Sequence, residues 1–163
     1  MSKQFWIFLL AGLAVAGGLL GLLLVGTKSA HLELTGKILK VRVLNLGPSA
    51  SFVVADFRVT NPSGVPFVVG GVEMILAPAS GETSSASVAS KPQVDMVFQG
   101  AKLVGTKYND VLGLQDRVGP RQTLDRMVAA RFELPEAAIN LRKSLRLKLE
   151  DVYGTAAEIT EEK

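Results

Sequence analysis

Nucleophilic catalysis needs a base placed beside the nucleophile. This chain offers little that could serve as one. It has no Cys and a single His, His31. His31 follows closely on a long apolar run and reads as a linker residue. No G-x-S-x-G, S-x-x-K, Walker loop or G-x-G-x-x-G occurs, so the common nucleophile and nucleotide signatures are missing. Without Cys there is no disulfide framework, thiolate zinc site, iron–sulfur cluster or lipidated thiol. Asp110, Asp116 and Asp125 are dispersed, and Glu150-Asp151 sits where a strand runs into a turn. Asp151 there reads as a turn former. A calcium loop needs several oxygens at short spacing, and no D-x-D-x-D-G is present. We therefore expect no catalytic residue, no metal site and no cofactor.

The basic residues give a net charge of +3 and a pI near 9.3. Arg142, Lys143, Arg146 and Lys148 form a local cluster, with Glu133, Glu136 and Glu150 nearby. Nucleic-acid binding asks for a denser stripe with interleaved aromatics, so no nucleic acid is expected. The cluster reads as a solvated face or a weak attraction to anionic lipid headgroups. Arg126 and Arg131 flank an apolar strand face and read as salt-bridged. Loops on rigid scaffolds often carry binding, and the loop at 103–118 has that character. Phe98, Tyr108 and Leu112 are the candidate partner surface. A plainer role for the Phe98 segment is to plug an open end of the fold.

Something must position these residues, and the apolar content is uneven. Mean hydropathy is +0.31, and much of the excess lies in one uncharged run of 22 residues, Phe5 to Gly26, built of 17 apolar residues and five Gly. A helix of that length rises about 33 Å, enough for a hydrocarbon core of about 30 Å. Trp6 sits at one end, as interfacial aromatics do. We expect an uncleaved anchor contacting the lipid bilayer through residues 5–26. The competing reading is a signal peptide cut after Ala14-Val15-Ala16, which would leave a greasy new terminus. Gly17 and Gly21 form a G-x-x-x-G, a candidate helix–helix face for a homodimer. Lys28, Lys37, Lys40 and Arg42 outnumber the positive charges before the run, which by count favours a cytoplasmic domain. Lys3 ahead of the run suits an ordinary signal anchor, with an extracytoplasmic domain.

Beyond the run the sequence reads as strands. Leu145, Leu147 and Leu149 alternate with Arg146, Lys148 and Glu150, period two with one wet face. Leu124, Val128, Ala130, Phe132 and Leu134 share one parity, with Arg126 and Met127 as exceptions on either face. Val53, Ala55, Phe57 and Val59 stand against Ser51, Asp56, Arg58 and Thr60. Val68, Val72, Met74 and Leu76 form another face. A first strand at about 32–46 carries Leu39, Val41 and Val43 inward. Gly70-Gly71 suggests a bulge or a close backbone approach. The Ser-rich stretch 81–90 fits an edge strand or a loop. Ser90 and Gln93 suggest a capping box before a helix striped with Val94, Val97, Phe98 and Ala101. A second short helix, Pro135 to Arg142, places Ala138 and Leu141 on adjoining faces. About seven strands with turns between them predict an antiparallel β-sandwich. The expected layout is a tail at 1–4, an anchor at 5–26, a linker at 27–31, the sandwich at 32–160 and an acidic tail at 161–163.

The run Ala55-Asp56-Phe57-Arg58-Val59-Thr60-Asn61-Pro62-Ser63-Gly64-Val65-Pro66-Phe67-Val68-Val69 resembles the signature of the late-embryogenesis-abundant group 2 domain. That domain is also called the water stress and hypersensitive response (WHy) domain. Its pattern is an alternating strand ending in Asn-Pro, a short polar turn and an apolar strand. Asn61, Pro62 and Ser63 are the signature turn here, with Ser63 where Asn is common. Residues 145–154 resemble the closing strands of such a domain. The resemblance implies a fibronectin-type-III/immunoglobulin-like sandwich without a catalytic site, in a bacterial-type, membrane-anchored member. It implies protection of client proteins or membranes under desiccation or other stress, from the periplasmic side in a bacterium. The alternative is a structural or accessory subunit of a cell-envelope complex, docking a protein partner.

Overall fold

The computed structural model describes Gly18, residues 33–100 and residues 105–161. The expected anchor, its Gly17 and Gly21, the linker with His31, and residues 162–163 lie outside the described residues. Among the described residues no helix is long and apolar enough to cross a membrane. The chain divides into two compact units, Met1–His31 and Leu32–Lys163. All the elements below belong to the second.

Among the described residues of this unit nine strands and two short helices follow in order: β1 (Thr35–Gly47), β2 (Ala50–Thr60), β3 (Phe67–Ala77), β4 (Ser84–Ser87), α1 (Lys91–Gly100), β5 (Asp110–Val111), β6 (Arg117–Val118), β7 (Thr123–Phe132), α2 (Glu136–Asn140), β8 (Ser144–Asp151) and β9 (Ala156–Thr160). The first sheet runs β1-β2-β7-β5 and the second β4-β3-β8-β9, with β6 also on β3. Every pairing is antiparallel except the short parallel match of β5 to β7. The Ser-rich stretch becomes the edge strand β4, where small polar side chains suit a wet edge.

Period-two alternation builds the core. Val53, Ala55, Phe57 and Val59 of β2 and Val128, Ala130 and Phe132 of β7 face Met74, Leu76, Leu145, Leu147, Leu149 and Ile159 of the second sheet. Burying each large apolar side chain of this kind stabilises the fold by about 1.5–3 kcal/mol.

Two bulges shift the alternation, and the expected faces change with them. The β1–β2 register slips between Ile38 and Lys40. Ile38 therefore packs on the core, while Leu39, expected inward, is 43% exposed. The β3–β8 register slips between Val69 and Gly71. Phe67 and Val69 turn inward, and Val68, expected among the core residues, faces away. Gly70 is the extra residue, and a Cβ there would lie 2.9 Å from the Val152 amide nitrogen. The paired glycines thus mark both the bulge and the close approach that their sequence suggests.

The helices depart from expectation in what they cover. Ser90 and Gln93 do form the N-terminal turn of α1: the Ser90 N–H donates to Gln93 Oε1 at 2.8 Å. This helix does not plug an open end. It lies on the outer face of the first sheet, where Val94 joins Phe52, Val54, Val111, Met127 and Ala129 in a second core, with Val97 and Phe98 against it. The second helix spans five residues and buries Ile139, while Leu141 is exposed. Glu161, assigned above to the acidic tail, is bonded to Arg142.

Candidate functional site

The second core gives the outer face of the first sheet its chemistry. Lys40, Arg42 and Leu44 of β1 stand opposite Asp56, Val54 and Phe52 of β2. Asp56 and Val54 stand opposite Met127 and Ala129 of β7. A mostly apolar sheet face therefore carries two cations, Lys40 and Arg42, and one carboxylate, Asp56, beside α1 and the loop that returns from it. Asp56 is buried, and its Oδ2 accepts from Arg42 Nη2 at 2.7 Å. Its Oδ1 accepts from Asn109 Nδ2 at 2.9 Å. Arg42 Nη1 donates to the Thr106 carbonyl at 2.9 Å. The guanidinium lies 5.2 Å from the Phe98 ring centre and 5.4 Å from that of Tyr108. The Lys40 ammonium is 5.2 Å from the Tyr108 ring. Cations at such distances are attracted to the ring faces.

The geometry is a clamp. One ion pair on the sheet, Arg42–Asp56, holds both ends of the 98–109 segment: Phe98 from α1, and Thr106, Tyr108 and Asn109 from the returning loop. The structure thus brings Phe98 and Tyr108 together around Arg42. It does not bring Leu112 with them. Leu112 is 1% exposed and belongs to the core between the sheets, so it offers nothing to a partner. Tyr108 remains 62% exposed. It stands between two shallow hollows of about 270 and 290 Å³, one shared with Leu39 and Lys40, the other with Lys107 and Arg126. A larger groove of about 550 Å³ opens at the start of α1 between Gly71, Val88, Pro92 and Leu114.

Sequence reasoning missed Asp56 and Asn109 and placed Arg42 merely outward. A signal existed. Phe52 and Val54 sit at the outward positions of β2, and eight successive residues of that strand, Ala50 to Phe57, are buried. A strand without a wet face must be covered on both sides, so any charge on it must find a partner.

The signature turn is a second polar constellation. Asn61 is fully buried. Its Nδ2 donates to the carbonyls of Val65 at 2.8 Å and Val118 at 3.0 Å. Its Oδ1 accepts from the Ser63 amide at 3.0 Å and lies 2.7 Å from the Ser63 hydroxyl. Pro62 is exposed above it. Asp151 plays a matching part at the β8–β9 turn, accepting from the amides of Val68 at 2.7 Å and Tyr153 at 2.8 Å.

The other candidate charges are engaged locally. The cluster at 142–148 resolves into separate pairs: Arg142 with Glu161, Arg146 with Glu158 at 3.1 Å, and Lys148 with Glu150 at 2.6 Å. Glu150 raises the Lys148 pKa through its hydrogen bond and charge. Arg58 and Asp125 form a two-pronged pair at 2.7 and 2.8 Å, which lowers the Asp125 pKa and raises that of Arg58. Arg131 pairs with Glu133 at 3.1 Å. Arg126 donates to the Asp125 carbonyl at 3.0 Å. Burial pushes the Asp116 carboxyl upward. The Gly113 N–H, the Lys91 hydrogen bond and the charges of Lys91 and Arg126 outweigh it and hold the pKa below the usual range. Among the described residues no three His, Asp or Glu converge to hold a metal ion.

No family model matches the chain, and no curated protein matches it. Among solved structures it is similar to a Northeast Structural Genomics Consortium target, with 11% identity, 78% of each chain covered and a TM-score of 0.37. It is also similar to an uncharacterized β-sandwich protein from Clostridium difficile, with 10% identity, 78% of this chain and 79% of that one covered, and a TM-score of 0.36. A flagellar-like filament shares 13% identity over 98% of both chains with a TM-score of 0.28. The two-sheet architecture stands on the strand pairing and burial given above.

Proposed function

We propose that this chain is a non-catalytic β-sandwich of the WHy/group-2 type, held at a membrane by residues 5–26 with its domain on the extracytoplasmic side. It acts by surface contact, protecting proteins or membranes under desiccation or other stress. Asn61 carries the reading. The polar residues of the signature are spent on building a turn, and what remains for solvent there is an exposed rim of Pro62, Gly64, Val65 and Pro66. Asp56 and Asp151, the buried carboxylates among the described residues, are likewise bonded to the fold.

A drying or freezing assay tests the activity. The fragment 27–163 contains the whole compact unit from Leu32 to Lys163. It should reduce aggregation of a labile reporter enzyme more than an inert protein does at equal mass. Equal protection by the inert protein refutes the reading. Protease accessibility in sealed membranes decides the side.

A specific feature favours a second reading, an accessory subunit that docks a protein partner. Helix α1 and the clamped loop that returns from it present Met96 and Tyr108 largely exposed, and Leu114 beyond them. In-membrane crosslinking from Met96 should then recover one recurrent partner. Recovery of random neighbours rejects it.

A further inference from the structure

Three turns converge at one end of the sandwich, and the chain enters the domain at that same end. Thr35 pairs with Thr60 at the close of β2, so residue 33 lies beside the signature turn. The Asn61 amide donates to the Gln122 carbonyl, and the Arg121 amide to the Ser63 carbonyl. These bonds tie the 119–122 turn to the 61–66 turn. Phe67 and Val68 then pair with Val118 and Arg117, and the Val152 amide donates to the Val68 carbonyl. The 152–154 turn is thereby added to the cluster.

The side chains at this end are of two kinds. Val65 is 47% exposed and Tyr153 is 85% exposed, with Val152 beside it. Lys37, Arg117 and Arg121 are exposed, and among the described residues none of the three lies in an ion pair. Most other cations of the domain are paired or stacked, as described above. Glu33 before β1 and Glu150 near the close of β8 are exposed carboxylates toward this end. Arg121 also holds a left-handed backbone, φ 56°, a conformation in which Gly would be less strained. Protruding valines, a nearly free tyrosine and unpaired cations are the composition of a surface that meets lipid at headgroup level.

We propose that this end of the domain is a lipid-contacting face that seats on anionic headgroups through Lys37, Arg117 and Arg121, with Val65 and Tyr153 at the interface. The inference rests on the anchored reading above in one respect, the tether. Residues 27–32 separate Gly26 from Glu33, a span of at most about 25 Å when fully extended. A tether of that length keeps the domain within reach of the bilayer under the anchored reading. The cations supply affinity for anionic lipid, and the tether supplies effective concentration.

The chain has no Cys, so one introduced Cys gives a unique nitroxide label. Gly64 has open space around its Cβ position, and G64C places the label on the proposed face. Ser80, exposed in the loop at the far end of β3, provides S80C as the control. The full chain is combined with vesicles of phosphatidylcholine, with or without phosphatidylglycerol. In anionic vesicles the label at 64 should be shielded from a water-soluble nickel chelate several-fold more than the label at 80. K37E/R117E/R121E should abolish that shielding, each cation being worth about fivefold in partitioning. R121G should weaken it while leaving the fold at least as resistant to urea, an outcome that a purely structural role for Arg121 does not produce. Equal exposure at 64 and 80 overturns the proposal. So does shielding that is the same with and without phosphatidylglycerol. Alkaline carbonate extraction tests the anchor separately. If the chain is extracted, the anchored reading falls, and the two labels with added vesicles still decide for or against the lipid face.

Discussion

At the scale of single residues, polar atoms are used to fix turns. Asn61 is buried with its whole amide engaged, so truncating it removes a donor from the Val65 and Val118 carbonyls, leaves Val65 only the Ser63 hydroxyl as a side-chain donor, and removes the acceptor for the Ser63 amide. Leaving buried groups unpaired costs about 1–3 kcal/mol each. Asn61→Ala should therefore lower the urea-unfolding free energy by about 2–4 kcal/mol. Asn61→Asp should fare little better, because a carboxylate cannot donate to Val65 and Val118. Ser63→Ala should cost only about 1 kcal/mol; a loss equal to that of Asn61→Ala would show that Asn61 is not the organiser. Asp116 makes a pH-dependent prediction. Its carboxyl is held below the ordinary range by Gly113, Lys91 and Arg126 against the opposing effect of burial. A lowered pKa means that the folded state releases this proton more readily than the unfolded chain. The stabilisation is therefore complete above about pH 4 and fades as pH falls below it. Asp116→Asn should be less stable than the parent at neutral pH, with the difference narrowing in acid. A difference independent of pH from neutrality down to the acid transition would contradict the assignment.

At the scale of elements, the clamp couples α1 and its return loop to the sheet. Removing one member of a nearly buried ion pair strands the other charge, typically at about 3–5 kcal/mol, whereas replacing both by apolar residues of similar volume is often close to neutral. Asp56→Ala should thus destabilise strongly and open residues 98–109 to protease, while Arg42→Met with Asp56→Leu should recover much of the loss. A double variant as unstable as the sum of the singles would show that the two side chains act apart. Elements also show what the sequence discloses. The strands β2, β7 and β8, the edge strand β4, the turn at Asn61 and the N-terminus of α1 follow from local pattern and turn chemistry. The faces of β1 and β3 follow only in part: Val41, Val43, Val72, Met74 and Leu76 turn inward as expected, while Leu39 and Val68 do not, because a bulge flips the alternation on one side of it. Gly70-Gly71 announces its bulge, while Leu39 has no local mark of its own. The candidate site was half legible for a related reason. Phe98 and Tyr108 stand out as aromatics near a loop. Their meeting at Arg42, 56 or more positions away in sequence, depends on pairing that no local window contains. Leu112, three residues beyond Asn109, shares that window with Tyr108 but points into the other core.

At the scale of the whole molecule, two cores share the backbone of β2 and β7, one between the sheets and one beneath α1. Shared strands make separate melting unfavourable, so the unit from Leu32 to Lys163 should unfold in one step. The chain has two tyrosines, and they lie at different places: Tyr108 by the clamp and Tyr153 on the far turn. Tyr108→Phe and Tyr153→Phe leave one tyrosine reporter each. Their thermal transitions should coincide; a lower midpoint for the Tyr108 signal would mean that α1 and the loop carrying Tyr108 melt first. The placement of β2 has a wider consequence. It is paired along both edges and covered on both faces, so no side chain from Ala50 to Phe57 can change size or charge at solvent's expense alone. In a library of random variants this stretch would form the least permissive segment of the domain. The serines of β4 and the turn rims, which touch little, would absorb most of the surviving diversity.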